Sequence, residues 1–315
     1  MRKYVFCCFE LIGMISPKYL HENDAVSIVS TARKMSLEEI KPAIQLLESW
    51  NLKVKIGKTI GLEDNQFAGT DGDRIQDFQE MLDDDTVKAI WCARGGYGTV
   101  RIIDTLDFSK FKKQPKWIVG YSDVTVLHSH INNLEFETLH AAMPINVAQN
   151  TSESLDSLKK ALFGSRLDYS IKPDKLNKTG MVKGSLIGGN LSILYSLLGS
   201  STSIDTDGKI LFIEDLDEYL YHIDRMMQNL KRNGYLDNLK GLIVGSMTEM
   251  NDNTIPFGKT AEEIVFDICK DFDFPICFGF PAGHIDDNRA LIMGRIVQLT
   301  VDSSQSTVNF DGYSY

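Results

Sequence analysis

Long apolar runs are scarce: no stretch approaches the ~18 uninterrupted apolar residues that a membrane-spanning helix needs. Cysteines are few, and the five at 7, 8, 92, 269 and 277 show no CxxC spacing. An odd number without paired spacing disfavours both a disulfide framework and a zinc cage, so they read as reduced thiols. Positive charge is in deficit, with 33 Lys and Arg against 43 Asp and Glu, a net charge of −10. The basic residues are scattered, so the footprint that a phosphate backbone demands is missing, and nucleic acid is not the expected partner. Neither glycine cluster, "ARGGYGT" (93–99) or "GGNLS" (188–192), carries GK[ST] or matches G-x-G-x-x-G, so neither is a phosphate loop or a dinucleotide fingerprint.

What remains is a soluble globular composition, 43% apolar and 24% charged over 315 residues, enough for about two domains. The opening "MRKYVFCCFELIGMIS" is basic then apolar, but Glu10 interrupts it and no small-residue cleavage site follows. It reads as an extension or an early start, not as a signal peptide.

From "AVSIVS" (25–30) the chain alternates short β-branched runs with helical patterns, as βαβ units around a parallel sheet do. Ser36 and Glu39 sign the first helix as a capping box, its apolar positions run from Ile40 to Trp50, and Asn51 can end it. "LKVKI" (52–56), "VKAIWCA" (87–93) and "WIVG" (117–120) read as strands, and a helix should end near Leu82. Between Gln149 and Thr179 no strong strand signal appears, which places the domain connection there. "SLIGG" (185–189), "KILFIED" (209–215) and "GLIVGSM" (241–247) follow as apolar runs, and 294–310 resembles a hairpin. The expected domains are 17–150 and 180–315, joined by 151–179.

In an open α/β sheet, ligands collect at the carboxyl ends of the strands. Ser122 sits at such an end, in "IVGYSDV" (118–124), where a tight turn would present its hydroxyl and the N–H of Asp123 would face a developing oxyanion. Val124 stands where the second glycine of a G-x-S-x-G elbow would be, and an N-cap role for Ser122 is the plainer alternative. Gly95 and Gly96, after the strand "VKAIWCA", could supply a second oxyanion donor or simply make a tight turn. Arg94 could pair with a substrate carboxylate or with a structural acid such as Asp123.

Serine needs a base near neutral pH. Of the six histidines, His128 and His130 lie on the helix that Ser122 would begin, and His222 lies in a helical stretch. His284 differs, for "FPAGHIDDN" (280–288) is a loop after a strand. It could also ligate a metal with Asp286 and Asp287, but no second histidine stands at ligand spacing. "LFIEDLDEYLYHIDRM" (211–226) offers Glu214 and Asp215 at a strand end, while Asp217 and Glu218 read as helix N-terminal charge.

Together, "WCARGGYGTVRIID", "IVGYSDVTVLH", "TLHAAMP", "IGGNLSILYSLLGS", "LFIEDLDEYLYHIDRMMQNL" and "FPAGHIDDN" occur in the order and context seen in LD-carboxypeptidases. The chain resembles that serine peptidase family from about Asp24 to Thr300. The resemblance implies an α/β fold: a flavodoxin-like, doubly wound N-terminal domain and a smaller α/β C-terminal domain with a β-rich end. It implies Ser122 as nucleophile, His284 as base and Glu214 as third member of the triad, with Glu218 in reserve. Gly96, Asp123, Gly95 and Arg94 would bind oxyanion or substrate.

The expected activity is cleavage of the amide between an L-centre and a C-terminal D-residue, releasing D-alanine from murein tetrapeptide during cytoplasmic cell-wall recycling. No cofactor or metal is implied, the partner is a small peptide, and the family often forms homodimers. The rival within the family is a microcin-immunity-like peptidase that cuts a peptidyl-nucleotide; outside it, a non-catalytic module gripping an anion. The chain departs from the family pattern at "HAAMP", where HGP is frequent, and at "STARKM" (30–35), where the first strand usually ends in a Pro-Ser turn. Both departures bear on substrate fit more than on chemistry.

Overall fold

The computed structural model describes residues 13–310, so Cys7, Cys8 and most of the basic-apolar opening lie outside the described residues. In the first half, β1 (Ala25–Val29), α1 (Leu37–Ser49), β2 (Lys53–Ile56), α2 (Asp71–Asp83), β3 (Val87–Cys92), β4 (Trp117–Gly120), α3 (Thr125–Asn133) and β5 (Thr138–His140) alternate. Helix α1 starts at the Ser36/Glu39 capping box, and Asn51, just past its end, takes φ 59°. These strands form one parallel sheet in the order β2-β1-β3-β4-β5. That order reverses between β1 and β3, which leaves a crevice beyond the carboxyl ends of those two strands, the place where doubly wound sheets bind ligands.

The stretch 151–179 is not a bare connection. It holds α4 (Ser152–Leu162) and β6 (Asp168–Ile171). The strand was missed because "DYSI" is short and half exposed, with only Tyr169 and Ile171 facing the core; four residues of simple alternation give little signal.

The second sheet begins with β7 (Gly180–Asn190), α5 (Leu191–Ser196), β8 (Ile210–Leu216), α6 (Leu220–Arg232), β9 (Gly241–Thr248), α7 (Ala261–Cys269) and β10 (Ile276–Cys277). Strands β7 to β10 are parallel neighbours in sequence order. On the other side of β7 the sheet turns antiparallel, through β12 (Ile296–Val301) and β13 (Ser306–Phe310) to β6. β12 and β13 are the hairpin read from the sequence. The core of this half takes Leu194, Met226, Met227 and Leu230, all buried, so those helix faces are interior.

One element crosses between the halves: β11 (Leu291–Met293) pairs antiparallel with β5 and so completes the first sheet. Just beyond it, Arg295 reaches back to Glu137, with Nη2 to Oε2 at 2.6 Å and Nε to Oε1 at 3.1 Å, both side chains buried. No described helix is long and apolar enough to cross a membrane.

Candidate active site

Strand β4 ends on Gly120, and two residues later Ser122 takes φ 62°, a left-handed conformation that costs a non-glycine residue roughly 1–3 kcal/mol. The chain then closes a single 3₁₀ turn, Ser122–Val124, and runs into α3. No capping bond comes from Ser122: the turn is capped by Tyr121 and α3 by Val124, both without a side-chain bond. The serine hydroxyl is therefore held at the bend, half buried and uncommitted to the backbone.

The turn is fixed from beneath. The Gly120 carbonyl accepts from His128 Nε2 at 2.9 Å, so that nitrogen carries the proton, and Nδ1 faces Thr138 Oγ1 at 2.9 Å. Burial lowers His128 to about 4, so it is a neutral strut. The Asp123 carboxylate is buried and accepts the Thr99 N–H at 2.9 Å. Burial raises its pKa, and the Thr99 and Gly98 hydrogen bonds oppose the rise. Asp123 thereby ties the serine turn to the loop 94–98, and it is Thr99, not Arg94, that it engages.

Gly95 lies directly against the serine. A Cβ there would sit 3.0 Å from Ser122 Cβ and 3.1 Å from Oγ, so only glycine leaves room for an atom bonded to that oxygen. Gly96 takes φ 106°. The N–H groups of Gly96 and Asp123 are given to no backbone carbonyl, which leaves both available to an oxyanion. The turn reading and the donor reading of Gly96 are thus compatible.

Across the cavity stand Glu214 and His284. Glu214 lies near the end of the buried run of β8, followed there only by Asp215, with no exposed surface, and its Oε2 accepts from His284 Nδ1 at 2.7 Å. The approach needs Gly283: at φ 116°, a Cβ there would meet Ser246 Oγ at 2.4 Å and Glu214 Oε2 at 2.8 Å. Burial works against a charged His284 ring, but the charge of Glu214 and its hydrogen bond outweigh it, and the pKa is raised above the ordinary histidine value. With Nδ1 committed to the carboxylate, Nε2 is the free nitrogen. The Tyr121 ring packs edge-on against the imidazole at 4.9 Å between centroids.

Glu218, the reserve acid, is engaged elsewhere. Its Oε2 accepts from His222 Nδ1 at 2.5 Å, and neither it nor Asp217 belongs to the first turn of α6, whose cap is Tyr219. Asp217 instead accepts from Asn251 Nδ2 at 2.8 Å. Both acids line the cavity rim.

Ser122 and His284 line one cavity of about 610 Å³, with Arg94, Gly95 and Gly96. The serine hydroxyl has no hydrogen-bond partner among the described residues, so Ser122 and His284 face the same cavity without a direct hydrogen bond between them. Sequence reasoning missed Arg33 and Asn190, which share the cavity with Asp215, the strand-end acid named beside Glu214. Arg33 follows β1 at the same sheet edge as Ser122, the signal that could have flagged it. Asp215 accepts from Asn190 Nδ2 at 3.0 Å and Ser192 N at 2.9 Å, and burial together with the neighbouring Glu214 raises it to about 7. Among the described residues no group of three His, Cys, Asp or Glu is arranged to hold a metal ion.

Fold and site together define the class, a two-domain α/β peptidase of the serine type. Residues 26–141 match the LD-carboxypeptidase N-terminal domain and residues 183–299 the LD-carboxypeptidase C-terminal domain. The chain belongs to the LD-carboxypeptidase family. It is 36% identical over 293 residues to a probable murein peptide carboxypeptidase of Bacillus subtilis, spanning 88% of this chain and 89% of that one. The crystal structure of muramoyltetrapeptide carboxypeptidase from Oxalobacter formigenes is similar with a TM-score of 0.84 at 24% identity, covering 92% of this chain and 100% of that one. The microcin C7 self-immunity protein gives 0.84 at 21% identity, covering 95% and 99%. At such identities the two structures speak for the fold alone.

Proposed function

We propose that this protein hydrolyses the amide between an L-centre and a C-terminal D-amino acid, releasing D-alanine from murein tetrapeptide in cytoplasmic cell-wall recycling. The observation that carries the reading is the 2.7 Å contact of His284 with Glu214 at the cavity onto which the strained Ser122 opens. Ser122 Oγ attacks the scissile carbonyl while His284 Nε2 takes its proton, and Glu214 holds the ring in the required tautomer and stabilises its charge. The N–H groups of Asp123 and Gly96 receive the oxyanion, and Gly95 leaves the space in which it forms. His284 then protonates the departing amine, and water, activated by the same ring, cleaves the acyl-enzyme. Arg94 receives a substrate carboxylate.

The division of labour follows the two sheets: a domain of residues 17–150 brings the nucleophile, and one of residues 180–315 brings acid and base. A homodimer is the assembly expected from the family. The test is a three-substrate comparison of L-Ala-D-Glu-diaminopimelate-D-Ala, the same peptide ending in L-Ala, and a peptidyl-nucleotide. Hydrolysis of the first alone is the expected result; preferential cleavage of the peptidyl-nucleotide would contradict the reading.

A further inference from the structure

The cavity is electrically divided. Asp217 and Glu218 stand on the rim that follows β8, whereas Arg33 and Arg94 stand on the side that follows β1 and β3. Neither arginine has an ion-pair partner among the described residues. Their neighbours differ: Arg74 and Arg101, on the same half of the molecule, are both taken by Asp71. Arg94 acts on an acid only beyond ion-pair distance, its charge adding to the Ser36 hydrogen bonds in lowering the pKa of Glu39, so both guanidinium groups keep their donors for an anion that enters the cavity.

Arg33 is also built in. Its backbone bridges Phe67, and its carbonyl accepts from Ser30 Oγ at 2.5 Å. Its side chain crosses the face of Gly96, where a Cβ would meet Arg33 Cδ at 2.7 Å and Nε at 2.8 Å. The glycine loop that lies against Ser122 therefore also makes room for Arg33. Arg94 precedes that loop, anchored by Ala93, whose N–H donates to Val29 and whose carbonyl accepts from Ile145.

We infer that Arg33 is a specificity-determining residue which, with Arg94, clamps the terminal carboxylate of the residue that leaves. The inference rests on the hydrolytic reading above and adds what makes the enzyme an exopeptidase. In such a substrate the carboxylate carbon lies only about 4 Å from the attacked carbonyl carbon. A guanidinium rooted beside the nucleophile can reach it, and an internal peptide bond offers nothing there to bind. The acids on the opposite rim repel the same group, which fixes the substrate's direction across the cavity. Arginine suits the task because its planar fork takes both carboxylate oxygens.

The test separates binding from turnover. Murein tetrapeptide and its C-terminal carboxamide are titrated calorimetrically into the Ser122→Ala protein, with and without Arg33→Gln, and into the pair carrying Arg33→Lys. The expected result is at least about tenfold tighter binding of the free acid than of the amide. Arg33→Gln should remove most of that preference with little change in amide affinity, and Arg33→Lys should restore part of it. An undiminished preference in Arg33→Gln, an equal loss for both ligands, or no binding of either would overturn the clamp. D-alanine release by the parent enzyme is followed in parallel. Release with an unchanged preference removes the clamp and leaves the hydrolytic reading; no release with a preference that Arg33→Gln abolishes does the reverse.

Discussion

Ser122, His284 and Glu214 come from three places far apart in the chain, and each is held by something that an alanine would remove or a methyl group would block. Replacing Ser122 or His284 by alanine should leave a folded protein that has lost about 10³-fold or more in turnover; circular dichroism and a D-alanine release assay check both halves of that statement. Gly95→Ala places a methyl group 3.0 Å from Ser122 Cβ and should lower kcat by about tenfold to a hundredfold with little change in melting temperature. The pH dependence follows from the proposed base. In that mechanism His284 must be neutral to accept a proton, and Glu214 raises its pKa, so kcat/KM should fall as pH drops through a value above the ordinary histidine range. In Glu214→Gln the carboxylate is gone while burial persists, so the acid limb should move to lower pH and the maximum should shrink. An acid limb that stays in place would count against the pairing.

At the scale of elements, the parts with long or strongly periodic patterns were readable: α1 with its capping box, the buried runs of β3, β4, β8 and β9, and the terminal hairpin. β6 was not, because four half-exposed residues alternate too briefly, and β11 was not, because a three-residue strand is defined by its partner β5 and not by its own composition. The same limit governed the site. Ser122 and His284 were legible as strand-end and loop residues of a recurring type, whereas Arg33 became visible only once β1 and β4 were neighbours of β3. Whether Glu214 or Glu218 faces His284 depends on where β8 ends and how its last residues are registered, and the β8 register shift between Ile213 and Asp215 could not be read in advance. The buried Arg295–Glu137 pair ties the end of β11 to the start of β5 across both halves. Arg295→Ala should therefore cost about 3–5 kcal/mol in denaturant unfolding, because it leaves Glu137 buried without its counter-charge.

For the whole molecule, the two sheets turn the carboxyl ends of their parallel strands toward one cavity, and the chemistry is split between them. The proposed nucleophile Ser122 and its proposed oxyanion donors belong to the first sheet, and the Glu214–His284 pair proposed as acid and base to the second. Neither half carries a complete site, which makes the packing of the halves part of the active-site geometry. The central claim is that the serine at the end of β4 releases a C-terminal D-residue, and its most direct test is mass-spectrometric detection of D-alanine from L-Ala-D-Glu-diaminopimelate-D-Ala. The purified protein and its Ser122→Ala variant should be run side by side. Release by the wild type alone is the predicted result; an intact peptide in both tubes, or equal release in both, would contradict it.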